Sequence, residues 1–134
     1  MKPYQTDIAS LLLRIALGAM FLAHGLTKLL VFTPNGTAQY FESLGLPGFV
    51  GYLTIAFEIG GGVLLLLGVL TRMISSLAVI QMIVISFIHS VNGWSFSNAG
   101  GGWEYPAFMA LSAFSLALLG SGRFSVLFKD TKYE

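Results

Sequence analysis

Six side chains in this sequence of 134 residues combine ionisable chemistry with apolar surroundings: Arg14, His24, Lys28, Glu58, His89 and Glu104. Carboxylates and imidazoles can bind or relay protons, and a pair of imidazoles can ligate haem or a metal. There are no cysteines, which excludes disulfides, thiol catalysis and thiolate metal sites within the chain. Two histidines with no cysteine, and with no further histidine beside either, are a poor metal or haem set, so no metal site is expected and haem is disfavoured. A donor imidazole, a carboxylate and aromatic walls better fit the head group of a quinone or another small amphiphile. The candidate ligand-binding residues are therefore His24, Lys28, Glu58, His89, Trp103 and Glu104. No residue is given a catalytic role. The competing reading, histidines satisfied by backbone or loop water, stays open.

The elements that must position these residues are membrane-like. The chain is 55% hydrophobic and only 10% charged, against roughly 25% charged in soluble domains. With a net charge of +1 and no basic run, nothing points to nucleic acid. Four apolar segments follow one another, at about 8–32, 49–70, 73–91 and 104–120. The first is long enough to cross a bilayer, which takes roughly 20 apolar residues. Its early part is like a signal peptide, but Arg14 interrupts it and no small-x-small site follows, so it reads as a retained helix. Thr71-Arg72 is a very short connection, which predicts antiparallel neighbours. Pro34-Asn35-Gly36 and Pro47-Gly48 mark a loop over 33–48, in which Tyr40, Phe41 and Leu44 predict a short amphipathic turn. A second loop, 92–102, is rich in Gly, Ser and Asn.

The expectation is an all-α membrane protein: one integral domain over 1–134, built as a four-transmembrane-helix up-down bundle. Lys2, Arg14, Arg72, Arg123, Lys129 and Lys132 fall on or nearest the side of both termini, and Lys28 nearest the other. The positive-inside rule then puts both termini in the cytoplasm and the two longer loops outside.

Counting helical rise places Arg14 about 9 Å and Glu58 about 16 Å above the cytoplasmic boundary. His24 and His89 come at about 24 Å, with Lys28 and Glu104 at about 30 Å. Arg14 and Glu58 are expected to form a structural ion pair joining the first two helices, with a proton relay as the alternative. Lys28 and Glu104 are expected to tie the first helix to the fourth. Gly18, Gly25 and Gly60 to Gly62 read as close-packing positions, and Gln81 as an interhelical hydrogen bond.

Three segments, RIALGAMFLAHGLTKL from Arg14, FEIGGGVLLLLGVLTR from Phe57 and GWEYPAFM from Gly102, resemble those of the DoxX family of four-helix membrane proteins. The resemblance covers nearly the whole chain, in order. It implies a multi-pass protein of the bacterial inner membrane, associated in some relatives with oxidoreductase systems such as thiosulfate:quinone oxidoreductase. It does not imply one shared activity, since relatives are also described as assembly or maturation factors, and Surfeit-type cargo receptors are similar. The functional expectation is an accessory subunit of a membrane redox system, binding a quinone or similar amphiphile in an outward-facing polar pocket. The alternative is a membrane assembly or interaction factor, and a small transporter ranks third. The expected partners are the lipid bilayer and either a protein partner or a second copy of the chain.

Overall fold

The computed structural model describes residues 3–127. Lys2, Lys129 and Lys132, three of the residues used for orientation, lie outside the described residues. The described chain is helical, with no strand among its residues. The elements are α1 (Pro3–Leu30), α2 (Pro34–Ser43), α3 (Gly48–Leu67), α4 (Thr71–His89), a 3-10 turn (Ser90–Asn92) and α5 (Glu104–Leu119). Three helices are long and apolar enough to cross a membrane: α1, α3, and α4 with its 3-10 extension. The fourth, α5, is apolar but has 16 residues, about 24 Å of rise.

Two boundaries differ from expectation for local reasons. The first helix begins at Pro3 rather than near Ile8, because proline fits the first turn of a helix. The 33–48 loop holds a ten-residue helix, α2. Pro34 occupies its first turn, and the Thr33 hydroxyl caps it by accepting from the Gly36 N–H at 3.2 Å.

Packing pairs α1 with α3 and α4 with α5, and α5 then closes on α1. The α1–α3 contact is made by glycines. A Cβ on Gly18 would sit 2.9 Å from the Gly62 carbonyl oxygen, and one on Gly62 would sit 2.8 Å from the Leu22 nitrogen. Backbones this close gain dispersion contact and leave no room for a side chain, the usual way helices associate where lipid removes the hydrophobic driving force. The buried apolar centre, Leu17, Phe21, Leu65, Ile74, Ala78, Met82, Met109, Ala113 and Leu116, is shared among these four helices. The sequence predicts α3 and α4 as close neighbours across their short link. They are joined there, but pack only lightly on each other. The space between them is the main feature of the other end of the molecule.

At the link end, backbone carbonyls are held by two buried side chains, Arg14 and Ser10, and by the exposed Arg72. Arg14 is 1% exposed. Its Nε donates to Leu65 O and its Nη2 to Leu66 O, both at 3.0 Å, while Nη1 reaches Ser121 O at 2.8 Å and Phe124 O at 3.1 Å. The last carbonyls of a helix have no partner within it and carry the negative end of its dipole, so a guanidinium satisfies them in both respects. The expected Arg14–Glu58 ion pair is therefore not formed. Arg14 spends its donors on the end of α3, about two turns from Glu58, and on the segment that follows α5. Arg72 repeats the device on α5, donating to Ala117 O at 2.9 Å and Leu118 O at 3.0 Å. The Ser10 hydroxyl donates to Gly120 O, and Arg123 pairs with Asp7 at 2.8 Å. Residues 121–127 dock here, with the Val126 N–H on Leu67 O at 3.0 Å.

Candidate ligand site

The opposite end is organised by Glu58, which is 2% exposed near the middle of α3. Its carboxylate accepts from Lys28 Nζ, at 2.9 Å on Oε2 and 3.2 Å on Oε1, and from Gln81 Nε2, at 2.9 Å on Oε1. One buried carboxylate thus joins α1, α3 and α4. A buried charge needs such partners, because an isolated one costs several kcal/mol in an apolar medium. The expected Lys28–Glu104 tie is absent: Lys28, in the last turn of α1, turns inward to Glu58. The register set by Gly25 packing on Ile59 brings the two side chains together.

This cluster forms part of the wall of a cavity of about 1270 Å³. The α3 side contributes Val50, Thr54 and Phe57, and the α4 side Leu77, Ile80, Val84 and Ile88. Tyr40 and Phe41 of α2, with Leu44 just after it, close it at one edge, and Trp94 and Phe96 of the 92–102 loop at another. Five of the six candidate residues line it: His24, Lys28, Glu58, His89 and Glu104. Trp103 does not. It lies on a smaller hollow with Ile83, Ser86 and Phe87, although its ring meets that of Trp94 edge to face at 6.5 Å.

Each histidine is oriented through one ring nitrogen. His24 Nδ1 lies 2.7 Å from Met20 O, and the ring stacks on Tyr105 at 6.1 Å. His89 Nδ1 lies 2.9 Å from Gly101 O, which also accepts from Asn92 Nδ2 at 2.9 Å. That second contact fixes the loop against the end of α4. One oxygen of Glu104, Oε2, is buried and has no hydrogen-bond partner. No group of three or more His, Cys, Asp or Glu close enough to hold a metal occurs among the described residues.

The sequence reading did not include Tyr105, α2 or Phe96 in the site. The signal for α2 was present in Tyr40, Phe41 and Leu44, whose spacing places an aromatic edge on one side of a short helix. Of the aromatic residues at the start of α5, the sequence points to Trp103, whereas the cavity is lined by Tyr105.

Fold and site together define a small helical membrane protein with a large apolar cavity around one buried ion pair. The DoxX family model matches residues 9–91. The chain is 36% identical over 115 residues to "Putative oxidoreductase CatD" of Bacillus subtilis (strain 168), covering 86% of this chain and 81% of that protein. It is 41% identical over 66 residues to "Inner membrane protein YqjF" of Escherichia coli (strain K12), covering 49% of each chain. The chain belongs to the DoxX family of small membrane proteins. No solved structure matches it.

Proposed function

We propose that this multi-pass protein of the bacterial inner membrane takes a quinone or similar small amphiphile into the cavity between α3 and α4. It acts as a non-catalytic accessory of a membrane redox system, with electrons supplied by a partner protein. In this reading α1, α3, α4 and α5 all cross the bilayer as one integral domain, both termini are cytoplasmic, and the cavity opens outward. Arg14, Arg72 and Arg123 at the link end support that orientation. The name of the Bacillus relative supports the redox association.

The observation that carries the proposal is the cavity itself. Its apolar wall is large enough for a ring and part of a tail, and His24, Lys28, Glu58, Gln81, His89 and Glu104 are among the polar side chains that line it. Ligand sites combine an apolar slot with a few placed polar groups in this way. Native mass spectrometry of the gently solubilised protein tests it. Wild-type protein carries a quinone-sized mass, and His24→Ala loses that mass while keeping its helical content and melting behaviour. A wild type that carries no such mass, with a cellular phenotype unchanged in His24→Ala and His89→Ala, favours the interaction-factor reading. Because the chain has no cysteine, single cysteines at Ser97 and Ser125 report orientation without background. They label from outside and inside respectively, and the reverse pattern contradicts the outward cavity.

A further inference from the structure

The helices α1, α3, α4 and α5 form a ring that is closed on three sides. α3 packs on α1, α1 on α5 and α5 on α4, whereas α3 and α4 pack only lightly on each other. The cavity lies at that fourth side. Leu77, Ile80 and Val84 of α4 are on its wall and are 45%, 61% and 47% exposed, while Ile85 and Ile88, farther toward the outer end, are half-buried. By helical rise the three exposed residues stand about 9, 14 and 20 Å along α4, at the depth of the hydrocarbon of a bilayer whose core is about 30 Å thick. At the outer end the cavity is edged by the rings of Tyr40, Phe41, Trp94 and Phe96. Gln81 follows Ile80, so the Lys28–Glu58–Gln81 cluster stands level with the uncovered stretch of α4. The Lys28 side chain is 20% exposed and that of Glu58 only 2%. An ammonium open to a cleft that hydrocarbon can enter is costly, and an acyl chain alone offers it nothing to bond.

We propose that the gap between α3 and α4 is a side entrance from the bilayer: the ligand's ring reaches the polar cluster, and its long apolar tail lies between the two helices and runs on into the lipid. The proposal rests on the ring-amphiphile reading of the cavity and specifies the ligand class, a long-tailed molecule dissolved in the bilayer. The polar end of such a molecule meets Lys28 and Gln81, which Glu58 holds on the wall, beside the Tyr105 ring stacked on His24. The tail exchanges lipid contacts for contacts with Leu77, Ile80 and Val84, which are equally apolar, so its length neither adds to affinity nor subtracts from it. A cavity reached only through its outer end behaves differently. There a long tail must fold up inside or project into water, where every methylene is unfavourable.

The test uses the purified full-length protein in lipid nanodiscs and a series of benzoquinones with short, intermediate and long isoprenoid tails, each dosed as a mole fraction of the lipid. Affinities on that scale agree within about threefold across the series. A loss of about tenfold or more from the shortest tail to the longest shows that the tail has no way out through the flank, and overturns the inference. A second readout locates the tail. A long-tailed benzoquinone with a photoreactive diazirine near the ring end of its tail forms adducts at 77–84 of α4 or 54–57 of α3, and an excess of the unlabelled quinone competes them away. Competed adducts at 40–46 or 94–96 instead place the tail at the outer end; they overturn the side entrance and leave the ring-amphiphile reading standing. Binding of none of the series, with no competed adduct anywhere, overturns both.

Discussion

The two ends of this bundle bury charge in different ways. At the link end the buried Arg14 and Ser10, with the exposed Arg72 beside them, bond to backbone carbonyls of helix ends and the turns beyond them. Those acceptors exist whatever the neighbouring side chains are, and Arg14 places every guanidinium nitrogen against one. At the cavity end, the partners are side chains: Lys28 and Gln81 on Glu58. Around them His24, His89 and Glu104 keep bonding capacity that the protein does not use. The buried arginine closes helix ends as a fastening, whereas the buried Lys28–Glu58 pair lies on the wall of a cavity. Both kinds of residue sit on α1, so residue type and helix position alone do not separate the two roles.

The contrast is broken most severely at Arg14. Replacing it with methionine takes a donor from four carbonyls, of which Leu65 O keeps the Gly68 N–H at 3.1 Å, and should cost about 4 kcal/mol in reversible unfolding, with the loss concentrated at the ends of α3 and α5. A near-neutral Arg14→Met would mean that the carbonyls find other partners and that this end is not a fastening. Next comes Glu58→Gln, which leaves the Lys28 ammonium half-buried without its counter-ion and should cost about 3 kcal/mol. Adding Lys28→Met should restore part of that loss. Adding Arg14→Gln instead should give a strictly additive loss, because Arg14 and Glu58 do not touch. Recovery with Arg14→Gln would contradict the partition into two ends.

The partition was only partly legible in the sequence. Four apolar segments and the ionisable residues set within them are visible because hydrophobic runs report them directly. The partner of Arg14 is not visible, because every residue carries a carbonyl and sequence does not say which are left free. The Lys28–Glu58 pair was missed for another reason. Heights counted from membrane boundaries put those residues about 14 Å apart, yet they meet at 2.9 Å. Register between α1 and α3 is set by where the backbones touch, Gly18 on Gly62 and Gly25 on Ile59, and not by where each helix enters the bilayer. Tyr105 and Trp103 show the same limit on a smaller scale. Two residues apart at the start of α5, they face different hollows.

Those glycine contacts give a smaller expected effect. Gly62→Ala forces α3 away from Leu22 and Gly18 and should cost about 2 kcal/mol. It should also weaken the Lys28–Glu58 pair, which a reduced coupling energy in a double-mutant cycle would reveal. An unchanged coupling energy would show that the pair does not depend on this register. The smallest effect on stability belongs to His24→Ala. The ring is exposed, and its one hydrogen bond is to a carbonyl within its own helix, so the change should stay within about 0.5 kcal/mol. A large loss there would make His24 part of the fastening and remove it from the site.

The central claim, that the hollow between α3 and α4 holds a ring-bearing amphiphile, is tested most directly by filling it. Leu77 and Val84 lie on the cavity wall, on the same side of α4 by helical spacing. Leu77→Trp and Val84→Trp each place an indole in the hollow and leave the Lys28–Glu58–Gln81 cluster and the Arg14 contacts unaltered. Native mass spectrometry from nanodiscs should show a bound ring amphiphile on the wild type and none on either variant, with melting behaviour unchanged. The same bound mass on all three proteins, or no bound mass on any of them, would contradict the account.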